Sequence, residues 1–285
     1  MKKKFHKKDN ELNKKTTGHE WDGIREYDNP DPFWLRLVFY TMLFTALGYW
    51  LLYPSWPSPN NKGILGWSSS REVKEDILEI QKIRSKYQDK FDKSSFEEIM
   101  KDPKMLNFAV IGGRSAFQNN CAVCHGADGG GNIGYPNLAS GAWIWGGSID
   151  DIYTTLKHGI RSGDENARDS NMAAFGKDRI LTEKQISDLV EYVLSLNTNK
   201  ILTGESHDLF QSNCASCHGS HGEGGRSVGA PALNDAIWLY GQSKEQIYDV
   251  IFNGRAGVMP YWSGRLDDST IRQLSIYVHQ LGGGE

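Results

Sequence analysis

Two five-residue strings constrain this chain more than any other feature: Cys121-Ala-Val-Cys124-His125 and Cys214-Ala-Ser-Cys217-His218. They hold all 4 cysteines of the 285 residues. C-x-x-C-H is the pattern of c-type haem attachment. Two thiols on one helical turn can each add to a vinyl group of the same porphyrin. The next residue then brings an imidazole beneath the ring to bind its iron. A zinc site is the plain alternative, but its cysteine pairs would lie about 15–20 residues apart, far closer than these. Zinc, like a thioredoxin-type dithiol, also leaves both histidines without a task. The strings read as two covalently bound haem c groups, held by Cys121, Cys124, Cys214 and Cys217, with His125 and His218 as axial ligands.

The sixth ligand of each iron must come from elsewhere. The chain has 6 methionines. Met172 follows the first motif, in Asn171-Met172-Ala173-Ala174-Phe175. Met259 follows the second, in Gly257-Val258-Met259-Pro260, where the ring of Pro260 would fix the loop that presents the sulfur. Methionine is a standard partner of histidine in electron-transfer haems. The bland reading is that either one fills a gap in a core. His158, His221 and His279 compete for the role. His158 aligns with Asn253 of the second repeat, which suggests a surface position or one on the haem-propionate side. His221 lies close behind His218, on the same side of the ring, and His279 falls in the terminal helix.

The motifs head two copies of one unit. Phe117-Gln-Asn-Asn-Cys121 matches Phe210-Gln-Ser-Asn-Cys214, and Trp143-Ile-Trp-Gly146 matches Trp238-Leu-Tyr-Gly241. Leu181 to Leu196 matches Leu266 to Leu281. Ile186, Leu189, Val190 and Val193 recur at helical spacing, as do Ile271, Leu274 and Val278. Thr182-x-x-Gln185 predicts a capping box, and Ser148 and Ser243 predict caps on the middle helices. Gly129-x-Gly131-x-x-Gly134 formally fits a dinucleotide fingerprint. It follows a haem motif rather than a strand, so that reading fails. Its glycines are expected to let backbone approach the haem edge. Each unit looks like a class I cytochrome c domain, in which a C-terminal helix crosses the first. Gly113 fits that family's close-crossing position, and Ser206 stands at the aligned place in the second unit.

The front of the chain differs in kind. Lys2, Lys3, Lys4, Lys7, Lys8, Lys14 and Lys15 precede an apolar stretch, Phe33 to Tyr53, whose single charge is Arg36. At 1.5 Å per residue the stretch spans about 31 Å, a bilayer's hydrocarbon thickness. Trp34, Tyr49, Trp50, Tyr53 and Trp56 cluster near its ends, as interfacial aromatics do. The polar region before it is too long for a signal peptide, and no small-residue cleavage site comes after it. A retained single-pass anchor is expected, with the lysines in the cytoplasm and the haem units in the periplasm. It carries no Asp, Glu or His to relay protons. The mean hydropathy of −0.52 excludes a polytopic membrane protein. The net charge of −3 excludes a generic nucleic-acid binder. Between anchor and haem units, Ile77, Ile80, Ile83, Tyr87 and Phe91 form a rough helical stripe. It fits a solvated spacer or a helix docked on a partner or membrane surface, and the stripe alone does not choose.

The expected architecture is all-α: a cytoplasmic tail (1–32), the anchor (33–53), a linker with an amphipathic helix (54–104), and cytochrome c domains over 105–200 and 201–285. With His19-Glu-Trp21-Asp22-Gly23-Ile24-Arg-Glu26, Asn29-Pro30 and Tyr53-Pro54 around the anchor, the whole chain resembles the dihaem subunit III of cbb3-type cytochrome c oxidases. The resemblance implies electron transfer from a periplasmic cytochrome c, through two haems, to an oxygen-reducing core. It implies a haem-copper catalytic subunit and a monohaem cytochrome c subunit as partners, and a place in a bacterial inner membrane. It also implies His125/Met172 and His218/Met259 as axial pairs, with Ala173 where many relatives carry a proline. A dihaem subunit of a periplasmic dehydrogenase would share the haems but gives no reason for Trp21-Asp22-Gly23. A dihaem peroxidase needs one open iron, against which two methionine ligands argue.

Overall fold

A tight Asp-Gly turn lies near the start of the described chain. The computed structural model describes residues 15–54, 63–198 and 201–285. These fall into two units, 1–83 and 84–285.

In the first unit β1 (Thr16–Trp21) and β2 (Ile24–Tyr27) pair antiparallel. Asp22 (φ 48°) and Gly23 (φ 82°) join them in the left-handed geometry of a type I′ turn, which matches the strand twist. This hairpin is the exception to the all-α expectation, and it lies in the segment read as a cytoplasmic tail. Pro32 then precedes α1 (Phe33–Leu52), whose 20 residues give about 30 Å of helix and agree closely with the predicted anchor. None of its residues is buried. Thr41 and Thr45 donate their hydroxyls to the carbonyls of Leu37 and Thr41, each at 2.8 Å, which satisfies polar groups that lipid could not. The helix end is clamped to the segment after it. Tyr49 stacks on Tyr53 at 4.7 Å, Tyr53 meets Trp67 edge-on at 5.8 Å, and the indole N–H of Trp67 donates to Glu72 at 2.7 Å. The last contact reaches α2 (Ser69–Lys93), the expected amphipathic helix.

The second unit is helical. It comprises the end of α2, α3 (Phe96–Lys101), α4 (Pro103–Asn120), α5 (Ala122–His125), α6 (Ile149–His158), α7 (Glu183–Ser195), α8 (Glu205–Asn213), α9 (Ala215–His218), α10 (Lys244–Asn253) and α11 (Asp268–His279). The predicted caps are in place. Thr182 and Gln185 form a capping box on α7, Ser148 caps α6, and Ser243 with Gln246 boxes α10. Phe91, Ile99, Met105, Ala109 and Ile276 form a small core where α2, α3 and α4 meet α11.

The two repeats do not close on themselves. The helix that packs along α4, the first repeat's opening helix, is α11 from the second repeat, and α11 also packs on α6. Conversely α7, from the first repeat, packs on α8 and α10 of the second. One core joins Phe117, Cys121, Ile152 and Leu156 to Ile271, Leu274 and Val278. The other joins Leu181, Ile186, Leu189 and Val193 to Phe210, Ile247 and Ile251. Gly113 does mark a close helix crossing, but with α11: a Cβ there would strike the Gln273 carbonyl and lie 2.6 Å from Tyr277 Cβ. Only residues 196–204 separate α7 from α8, which makes them neighbours in the chain as in space.

Candidate haem-binding site

Each C-x-x-C-H motif sits at the end of an opening helix, on a single further turn. Cys121 ends α4, its carbonyl accepts from the N–H groups of Cys124 (3.1 Å) and His125 (3.0 Å), and Gly126 at φ 80° stops the turn. Cys214 ends α8 in the same way, with Cys217 at 3.1 Å and His218 at 2.9 Å. The turn puts both thiols and the imidazole of each motif on one local platform.

Both imidazoles are oriented by backbone. His125 Nδ1 lies 3.0 Å from the carbonyl oxygen of Pro136, and His218 Nδ1 lies 2.9 Å from that of Pro231. A carbonyl only accepts, so Nδ1 carries the proton and Nε2 keeps its lone pair. Burial holds both rings below the usual histidine pKa, which keeps them neutral, as a metal ligand must be. Burial also pushes the Cys121 and Cys214 thiols up to about 11, so neither is a thiolate near neutral pH.

The platforms face one cavity of about 960 Å³. It reaches the upper end of the roughly 300–1,000 Å³ typical of small-molecule sites. All 4 cysteines, His125, His218, Met172 and Met259 line it, with Leu138, Trp143, Leu233 and Trp238 among its apolar walls. Among the described residues no other histidine lines it. His158 instead faces Asp164 at 2.9 Å, His221 meets Ser220 at 2.9 Å, and His279 Nε2 lies 3.0 Å from the Glu285 carbonyl. Thiol pairs, imidazoles with a free Nε2, a thioether supply and apolar walls fit a covalently attached metalloporphyrin.

The methionines follow the exchange of helices. Met259 belongs to the core that contains Cys121, and Met172 to the core that contains Cys214. Backbone pairing fixes both. Met259 and Ile160 exchange N–H···O bonds of 2.9 and 3.0 Å, and Met172 and Arg255 exchange bonds of 2.9 and 3.1 Å. Ile160 follows α6, and Arg255 holds the matching place after α10. Gly159 (φ 72°) and Gly254 (φ 66°) make room: a Cβ would lie 2.5 Å from the Met259 or the Met172 carbonyl respectively. The within-repeat pairing of His125 with Met172 and of His218 with Met259 is therefore not the packing seen. Each methionine strand lies in the other repeat's core.

Sequence reasoning missed three features. Arg161 and Arg255 line the cavity wall, and Arg255 is ion-paired with Asp249. Arg161, at φ 50°, is held by the carbonyls of Gly257 and Ser170. Trp145 and Tyr240 each reach the other repeat at the cavity: Trp145 packs on Gly229, and Tyr240 lies beside Gly134, whose N–H donates to the Leu239 carbonyl at 2.7 Å. Arg168 and Arg255 stack over these rings at 5.4 and 4.9 Å. The repeat match at Trp143–Gly146 and Trp238–Gly241 was the available signal. The third is a second task for the loop glycines: a Cβ on Gly131 would meet Tyr135 and Asn137 backbone, and one on Gly129 would meet Leu281, while Gly134 lines the cavity.

Comparison with known proteins agrees along the length of the chain. Family models match residues 13–60 (N-terminal domain of cytochrome oxidase-cbb3, FixP), 110–197 (cytochrome c) and 203–278 (cytochrome c oxidase, cbb3-type, subunit III). The cbb3-type cytochrome c oxidase subunit CcoP of Azospirillum sp. (strain B510) is 47% identical over 95% of this chain and 96% of its own. Subunit FixP of Azorhizobium caulinodans is 46% identical over 95% of this chain and 94% of its own. Subunit CcoP of Cereibacter sphaeroides is 44% identical, covering 95% of both.

Proposed function

We propose, from the premise that this chain belongs to the family of cbb3-type cytochrome c oxidase subunit CcoP/FixP, that it is the oxidase's dihaem relay. It takes electrons from a periplasmic cytochrome c and passes them to the oxygen-reducing core. The carrying observation is the single cavity lined by both C-x-x-C-H motifs and both methionines.

Bound haem supplies a one-electron couple at each iron, and a methionine thioether raises its potential. The chain's residues do the rest. Cys121 and Cys124 hold one group, Cys214 and Cys217 the other. His125 and His218 present Nε2 because Pro136 and Pro231 occupy Nδ1. Met259 completes the site of His125, and Met172 that of His218, the pairs supported by shared cores. Arg161 would offer counter-charge to a propionate, while Arg255 is already ion-paired with Asp249, and the apolar walls exclude water. With an imidazole and a thioether both committed at each site, these residues would hold the group in fixed surroundings during electron transfer and would leave no place for a peroxide. The anchor places the lysine-rich end in the cytoplasm and the haem unit in the periplasm of a bacterial inner membrane. A haem-copper catalytic subunit and a monohaem cytochrome c subunit are the partners.

Affinity purification of the tagged chain from gently solubilised membranes tests this. Two haem c per chain and cyanide-sensitive oxygen uptake with reduced cytochrome c in the eluate are expected. Recovery of a dehydrogenase, or of this chain alone, would overturn the relay to an oxidase core.

A further inference from the structure

The loop that orients each motif histidine is pressed by an aromatic ring from the other repeat. Pro136, whose carbonyl holds His125 Nδ1, lies two residues after Gly134. Pro231, whose carbonyl holds His218 Nδ1, lies two residues after Gly229. Tyr240 of the second repeat lies against Gly134, where a Cβ would be 3.4 Å from the ring. Trp145 of the first repeat lies against Gly229, where a Cβ would strike the indole. Both rings, both glycines and both prolines line the cavity.

The two contacts are equivalent by the repeat. Trp145 and Tyr240 hold the same place in Trp143–Gly146 and Trp238–Gly241. A chance contact has no reason to recur at matching positions, and each one here runs across the repeats. A guanidinium also backs each ring. Arg255, just after α10, stands 4.9 Å from the Tyr240 ring. Arg168 comes from the extra residues of the first repeat, yet it reaches the same place over Trp145 at 5.4 Å. Two unlike stretches of chain thus supply one kind of support. A guanidinium within about 6 Å is attracted to a ring face, so each ring is held between a cation and a glycine.

The first loop is tied to its own motif at its base. Gly131 donates its N–H to the His125 carbonyl at 2.8 Å, and Asn132 Nδ2 donates to the Cys124 carbonyl at 3.0 Å. Its tip is tied across the repeats, where the Gly134 N–H donates to the Leu239 carbonyl at 2.7 Å, next to Tyr240. The place of the Pro136 carbonyl therefore depends on the second repeat. That carbonyl accepts the Nδ1 proton, and such a bond raises the basicity of an imidazole that binds metal. A more basic imidazole favours ferric iron and lowers the potential, so a loosened loop raises it.

We propose that Tyr240 and Trp145 are positioning residues, each setting the axial histidine of the other repeat's haem. Tyr240 acts on His125 through Gly134 and Pro136, and Trp145 acts on His218 through Gly229 and Pro231. The proposal rests on the reading of both motifs as haem c sites. Redox titration of the purified full chain tests it. Cys121→Ala leaves one thioether on the first haem and moves its band to longer wavelength, so the two couples are read apart. Cys214→Ala marks the second haem in a matched set. Tyr240→Leu should raise the potential of the His125 haem, changing its ferric-to-ferrous ratio about tenfold at a fixed potential, or about 59 mV for one electron. The His218 haem should move less. Trp145→Leu should do the reverse, and either variant that keeps both haems decides. Tyr240→Phe keeps the ring and should leave both couples in place. A shift confined to the variant's own repeat, an equal shift of both haems, no shift, or a Tyr240→Phe shift as large as that of Tyr240→Leu would overturn the proposal. A parent chain without two haem c would instead overturn the reading on which it rests.

Discussion

At Gly113 the backbones of two helices meet without room for a methyl group. The obstacles are the Gln273 carbonyl and Tyr277 Cβ, neither of them the far end of a flexible side chain. Gly113→Ala should therefore cost about 1–3 kcal/mol, the range for overpacking, read as a lower urea midpoint. A second prediction concerns the axial pairs. Cys121→Ala leaves one vinyl of the first haem unreacted and conjugated, which moves its visible band to longer wavelength. In that background Met259→His should erase the methionine signature of the shifted haem, and Met172→His that of the unshifted one. The reverse assignment would restore the within-repeat pairs. That both C-x-x-C-H motifs gather at one cavity was legible from the sequence, because their spacing is local and repeated. That Met172 and Met259 would lie at the cavity was legible too, but not which core each packs into. Two copies of one pattern present the same local signals whichever copy they close. Arg161 escaped because its task is set by the Gly257 and Ser170 carbonyls, which only the folded chain brings near.

At the scale of elements, α4 is held by one exposed carboxylate. Asp102 accepts from the N–H groups of Lys104 (3.0 Å) and Met105 (3.4 Å), and from Lys90 Nζ at 2.7 Å. The Lys90 hydrogen bond first, then that from Lys104, holds its carboxyl below the ordinary 3.8. A depressed acid stabilises the fold above its unfolded pKa, and the gain is lost as pH falls through the folded value. Asp102→Ala should thus unfold at lower urea than the parent at pH 7, and the gap should close as pH drops below about 3.8. Failure of the gap to narrow would show that the cap, and not the charge, matters. Helix caps such as Thr182/Gln185 were readable from sequence because they are local. The β1–β2 hairpin was readable in principle. Its Asp22-Gly23 pair is a strong hairpin signal, yet it sits in a polar segment where a two-stranded ribbon has little to pack on.

At the scale of the whole molecule, the reciprocal exchange of helices and methionine strands makes one body of two repeats. Expressed apart, residues 105–200 and 201–285 each lack the helix and the methionine that share a core with their haem motif. Neither should yield a stable six-coordinate monohaem protein, measured by haem content and by the spectral signature of methionine ligation. Two well-behaved cytochromes from the separate halves would refute the interlocked arrangement. Fusion to the first membrane unit should not rescue either half, because the missing pieces lie in the other repeat.

The crossing of α11 onto α4 also sets a timetable. As the chain is made from its N-terminus, Cys121 and Cys124 emerge long before Cys214 and Cys217. Yet the helix that covers the first motif is among the last residues synthesised. The second motif, by contrast, finds Met172 and α7 already waiting when it arrives. The pocket begun first is finished last, and a stop codon just before Asp268 would spoil the older site while sparing the younger one.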